Sequence, residues 1–102
     1  MIFNFLVHTT ALKLNARSLN GSEYVNHTNC QNNQIVIRSN QWTWGTEDFY
    51  NGNSSYGRII ECLGNLWARV KWQNGNEGKF RIGKNESFDL YLAKGISSLI
   101  LR

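Results

Sequence analysis

Residues 66–72, Leu-Trp-Ala-Arg-Val-Lys-Trp, alternate apolar and polar side chains more cleanly than any other stretch of the chain. A period of two puts Ala68, Val70 and Trp72 on one face of a strand and Trp67, Arg69 and Lys71 on the other. The first set is the core face. One such strand is not stable alone and needs neighbours to cover that face. The chain offers them as short β-branched or aromatic runs separated by turn signals: Ile35–Arg38, Gly57–Cys62, the stretch through Phe80 and Ser87–Tyr91. No helical stretch competes, and the whole reads as all-β.

The turn after Trp72 tests this reading. A two-residue loop at Asn74-Gly75 would pair Val70 with Lys79 and Arg69 with Phe80, mixing core and solvent faces. A three-residue loop, Asn74 to Asn76, pairs Val70 with Phe80 and Trp72 with Gly78, so the faces agree. It also sets Lys71 opposite Lys79 and Arg69 opposite Arg81, and like charges across strands destabilise. Two explanations stand: the side chains splay into water near Glu77 or Glu61, or they form a basic stripe for an acidic or phosphorylated partner.

A chain of 102 residues holds one small domain, here 41% hydrophobic and 13% aromatic, with no proline. The net charge of +4 is a weak pointer to an anionic partner. Cys30 and Cys62 read as free thiols in a reducing compartment, because nothing in their spacing demands a bridge. With His8 and His27 they match no familiar zinc spacing, so neither metal nor cofactor is expected. Asn-x-Ser/Thr sequons at Asn20, Asn26, Asn53 and Asn85 carry no message unless the protein is secreted. No Ser–His–Asp or His–Cys arrangement and no phosphate-cradling glycine loop occurs, so the chain is not expected to be an enzyme.

Residues 1–34 form an N-terminal extension. Its apolar start is too short to span a bilayer and lacks the basic residue that precedes a signal-peptide core. Lys13 and Arg17 precede the first acid, Glu23, faintly as in an organelle transit sequence. Ser18–Gln34 is polar and asparagine-rich, and reads as loop or linker. Residues 35–91 are the domain proper and residues 92–102 a C-terminal extension. Within the domain a long loop, Trp42–Tyr56, crosses the strands. Short strands with tight turns suggest a small SH3-like antiparallel β-barrel rather than an immunoglobulin sandwich.

The ordered set Trp42-x-Trp44-Gly45-x-x-Asp48, Gly57-x-Ile59, Trp67-x-x-Val70-x-Trp72-x-Asn74-Gly75, Phe80-Arg81-x-Gly83 and Phe88-Asp89-Leu90 resembles the MIB/HERC2 domain of Mind bomb and HERC2-type ubiquitin ligases. The resemblance covers residues 35–91. It implies an SH3-like barrel without enzymatic activity that recognises protein or peptide segments, as Mind bomb domains recognise the cytoplasmic tails of Notch ligands. The approach to the first tryptophan departs from the family, with Ser39-Asn40-Gln41 where a Gly-Pro-Asp-like run is usual. So does the long loop, where Glu47-Asp48 stands for Gln-Asp. No zinc finger, RING or HECT domain is present, so ligase activity cannot reside in these residues.

Candidate partner-binding residues are Trp67, Arg69, Lys71, Lys79 and Arg81 on the solvent face, with Phe49 and Tyr50 in the loop. Trp42, Trp44, Gly45 and Asp48 read as anchors of the loop, with Asp48 bonding loop amides or pairing with Arg81. Trp72, Phe80, Gly83 and Asp89 are structural, and Ile59, Val70 and Leu90 are core. The functional expectation is a cytoplasmic adaptor in the ubiquitin pathway, an organelle remaining open. The alternatives are a structural subunit docked through residues 1–14 and 96–101, and, more weakly, a nucleic-acid-binding barrel.

Overall fold

The structure, a computed structural model, describes residues 19–95. It is all-β. Among the described residues nine strands run in chain order: β1 (Leu19–Asn20), β2 (Ile35–Arg38), β3 (Phe49–Tyr50), β4 (Asn53–Ser54), β5 (Tyr56–Leu63), β6 (Trp67–Trp72), β7 (Glu77–Arg81), β8 (Leu90–Leu92) and β9 (Lys94–Gly95). A 3₁₀ turn, Lys84–Glu86, separates β7 from β8. The main sheet has five antiparallel strands in the order β7-β6-β5-β2-β8. Two small hairpin-like sheets, β1-β9 and β3-β4, complete it.

The alternation of β6 is realised as read. Ala68, Val70 and Trp72 are buried, while Trp67 and Arg69 are half-buried and Lys71 is exposed. Val36, Ile59, Phe80, Ile82 and Leu90 join them in one core cluster. Gly57 lies opposite Trp72, where a Cβ would stand 2.7 Å from both Trp72 and Val70 atoms. No larger residue fits there without moving the core. A β-bulge between Ile59 and Glu61 then resets β5, so that Cys62 falls opposite Ala68.

The β6–β7 register differs from the expected one by two residues. Val70 pairs with Gly78, Lys71 with Glu77, Arg69 with Lys79, Ala68 with Phe80 and Trp67 with Arg81. The connection is still three residues long, but it is Gln73-Asn74-Gly75. Gly75 N–H donates to the Trp72 carbonyl at 2.8 Å and Trp72 N–H to that of Asn76 at 2.8 Å. Gly75 takes the left-handed conformation that closes such a loop, with φ 93°. A slip of two preserves every residue's face, so facing arguments alone do not separate the two registers. The observed one sets Glu77 opposite Lys71 and so removes that repulsion. Arg69 still faces the cation Lys79, and Glu61 lies 3.8 Å from its guanidinium.

Residues 21–34 contribute to the body of the domain. The stretch 23–25 lies along β8: Val25 N–H donates to the Leu90 carbonyl at 3.0 Å and Leu92 N–H to that of Glu23 at 2.9 Å. Val25 is fully buried, and Tyr24 stacks on Phe88 and Tyr91 at 5.3 and 5.4 Å. Cys30 and Cys62 are joined in a disulfide, which corrects the free-thiol reading. Their spacing of 32 says nothing of the reason, which is spatial. The segment folds across the core and brings the two Cα atoms to 6.2 Å, within bridging range. Residues 1–14 and 96–101, read as docking extensions, lie outside the described residues.

Closing a loop of this length removes chain entropy equivalent to about 3–4 kcal/mol. Urea unfolding with and without reductant should show a loss of that order, and a C30A/C62A double variant should be indifferent to reductant. Coincident curves for the native chain would show that the bridge contributes nothing. Gly57→Ala should cost roughly 1–3 kcal/mol by overpacking, read from the same curves.

Candidate interaction surface

The long loop between β2 and β5 is held by two buried carboxylates, each gripped by one arginine. Asp48 and Asp89 are both fully inaccessible. Arg38, at the end of β2, donates from Nε to Asp48 Oδ2 at 2.8 Å and from Nη2 to Oδ1 at 2.5 Å. Ser54 Oγ adds a third bond to Asp48 at 2.7 Å. Arg81, at the end of β7, reaches Asp89 Oδ1 from Nη2 at 2.6 Å and Oδ2 from Nε at 3.0 Å, while its own backbone N–H donates to Oδ2 at 2.7 Å. Asp48 therefore pairs with Arg38 and not with Arg81, which corrects that expectation. Paired bidentate bonds of this kind are among the strongest side-chain interactions.

The motif tryptophans are tied into the same two nodes. Trp44 Nε1 donates to Asp89 Oδ2 at 2.8 Å, and Trp42 Nε1 to the Gly45 carbonyl at 2.8 Å. Gly45 has φ 61°, which turns that carbonyl back toward Trp42 and Arg38. Arg38 lies 5.1 Å from the Trp42 ring and 5.5 Å from the Phe49 ring, and Arg81 5.6 Å from that of Trp44. Trp42 stacks on Phe80 at 5.2 Å and meets Trp72 edge-on at 5.4 Å. Each such pair adds about 0.5–1.5 kcal/mol beyond burial. Asn74 Nδ2 then stitches the β6–β7 turn to the loop through the Glu47 and Phe49 carbonyls, at 2.9 and 2.7 Å.

The partner-binding candidates divide accordingly. Trp67, Arg69 and Lys71 share one face of β6, with Lys79 alongside Arg69 on β7. Arg81 is occupied by Asp89 and is mostly covered. Hydrogen bonding to Asp89 is the main cause that raises its pKa above the ordinary arginine value. The stability it carries is thus complete below that ordinary value and lost only as pH rises through the folded one, far from neutrality. Phe49 is half-buried beneath Arg38, and Tyr50 projects from the β3–β4 hairpin at 43% exposure. Among the described residues no hydrogen bond, ring contact or ion pair links Phe49 or Tyr50 to the Trp67 face. Arg38 was missed in the sequence, where nothing marks Asp48 as buried or Arg38 as its partner. Gly83 has φ 130° and stands between β7 and the 3₁₀ turn, immediately before the latter.

Among the described residues no three His, Cys, Asp or Glu side chains gather as a metal site would need. No described helix is long and apolar enough to cross a membrane. What the fold presents is a small β domain whose charged and aromatic side chains order a loop and leave a mixed aromatic–basic sheet face outside. Its sequence places it in a family: residues 33–94 match Mib_herc2, more than half of the chain, and the chain belongs to that family.

Relatives of known name agree. The chain is 38% identical over 60 residues to the human E3 ubiquitin-protein ligase HERC2. It is 36% identical over 55 residues to the Caenorhabditis elegans E3 ubiquitin-protein ligase hecd-1, and 34% over 58 to the Drosophila melanogaster E3 ubiquitin-protein ligase Ufd4. The matches cover 58%, 54% and 57% of this chain but only 1%, 2% and 2% of those proteins.

Removing one partner of a buried ion pair strands the other. Asp89→Ala leaves Arg81 without its counter-ion and Trp44 Nε1 without its acceptor, and should cost about 3 kcal/mol or more in urea unfolding, with Asp48→Ala close behind. A loss below about 1 kcal/mol for both would show that the loop is held by its aromatic packing alone.

Proposed function

We propose that this chain is a non-catalytic protein-interaction module of the ubiquitin pathway, an SH3-like barrel that binds peptide or protein segments. The observation that supports it most is the family membership of residues 33–94, in a domain that also occurs within far larger proteins named as E3 ubiquitin-protein ligases. A unit that makes up so little of those chains contributes recognition more readily than chemistry. The sheet face supports the same reading. Trp67 is only half-buried beside Arg69 and Lys71, and tryptophan and arginine are the residues that dominate binding energy at interfaces. Tyr50 at the hairpin tip offers a second contact. The cytoplasmic placement is an expectation that the Cys30–Cys62 bridge opposes, since a reducing environment would open it. The bridged form belongs to an oxidising compartment.

The test is a titration of the full chain with a panel of peptides of acidic, neutral and basic composition, followed by tryptophan fluorescence. At least one class should bind saturably, and Trp67→Ala should weaken it by about 1 kcal/mol or more, with a smaller loss for Tyr50→Ala. Absence of binding across the panel, or binding indifferent to both substitutions, would sink the proposal.

A further inference from the structure

A groove of about 310 Å³ opens on the sheet surface where β2, β5 and the end of β6 meet, lined in part by Ile35, Tyr56, Arg58, Lys71, Gln73 and Gly75. Its volume is at the lower end for ligand pockets, enough for a side chain or two rather than a cofactor. Three features give it a definite chemistry. Arg58 and Lys71 face each other directly across β5 and β6, and both are exposed. The ion pairs among the described residues are Arg38–Asp48, Arg69–Glu61, Arg81–Asp89 and Lys94–Glu23, so neither groove cation has an ion-pair partner among them. Glu77 is Lys71's neighbour on β7 yet makes no ion pair with it.

Gln73 adds a donor. Its backbone N–H donates to the Tyr56 carbonyl at 3.0 Å, and its side-chain oxygen accepts from the Ser55 hydroxyl. The carboxamide is thereby oriented with its NH₂ group left over, unbonded among the described residues. The lining holds no acidic side chain at all. The half-buried Tyr56 ring supplies the apolar part, over Ile35, which is itself buried at 4% exposure. Two cations set opposite each other destabilise the free sheet, and an acceptor between them relieves that repulsion.

We propose that this groove is the specificity pocket of the interaction module, and that it takes an acidic side chain, aspartate or glutamate, of a peptide whose adjacent apolar residue packs on the Tyr56 ring. Charge complementarity carries the assignment: two cations with no ion pair among the described residues and an oriented amide donor line a cleft whose own lining holds no acid, Glu77 standing one strand beyond Lys71. Lys71 also belongs to the Trp67–Arg69–Lys71 face, so the groove lies at one end of that surface. The inference rests on the peptide-binding reading above, but it names a site and a ligand that the reading does not.

The experiment uses the full chain and two acetylated octapeptides, one with Asp-Glu flanked by leucines and the other with Asn-Gln in their place. Isothermal titration should show the acidic peptide binding on the order of tenfold tighter, as two partly exposed charge contacts allow, with the preference shrinking as salt rises. Arg58→Gln with Lys71→Gln should abolish the preference without lowering the unfolding midpoint, since both side chains are exposed and repel each other. Chemical-shift changes should appear at the Gln73 side-chain amide and the Ile35 methyl groups. A preference that survives the double substitution, shifts confined to Trp67 and Tyr50, or tighter binding of a single-stranded oligonucleotide than of the acidic peptide would each overturn the groove assignment. If the octapeptides fail while other peptides bind in a Trp67-dependent way, this inference falls and the interaction module stands. If nothing binds, both fall.

Discussion

Two carboxylates with no access to water, Asp48 and Asp89, are the constraint on which the rest of the architecture turns. Burying an unpaired charge costs several kcal/mol, and the cost is offset only by partners in good geometry. Each acid has them: an arginine from a strand end, and a further donor from the loop or backbone. The long loop therefore cannot swing away without stranding a charge. Its tryptophans are fixed for the same reason, since Trp44 shares Asp89 with Arg81 and Trp42 shares the Gly45 carbonyl with Arg38. A segment of this composition would ordinarily be mobile, yet here it is part of the rigid body.

How much of this was legible in the chain depends on the range of the interaction. The strands were, because alternation is local: Ala68, Val70 and Trp72 announce their face within six residues. The length of the β6–β7 loop was also legible, but not its register, since slips of two keep every face and only charge and turn geometry separate them. The left-handed Gly75 and the Lys71–Glu77 pairing decide it. Long-range partnerships were the least visible. Nothing near Asp48 says whether Arg38 or Arg81 will reach it, and nothing in the asparagine-rich run 26–34 says that Cys30 will meet Cys62. Val25 looked like one apolar residue in a polar stretch, yet it is wholly buried.

The disulfide and Val25 share a consequence for where the domain begins. The family match starts at residue 33, but the chain's core draws on residues at 25 and 30. A polar segment with few apolar residues is held because one of them is buried and the bridge keeps the segment there. Small domains bury a limited fraction of their surface, and a covalent tie to a short arm is a direct way to extend the core beyond the shared fold.

The pairing of β1 with β9 sets Leu19 beside Gly95 and Asn20 beside Lys94. Chain enters and leaves the domain at neighbouring points, as the two wires of a plug do. Such a unit can be spliced into a surface turn of a much larger protein without forcing the host's own strands or helices apart. That geometry suits a fold found as one or two per cent of its relatives' length. It lets the domain be added wherever two adjacent residues can be opened to receive it.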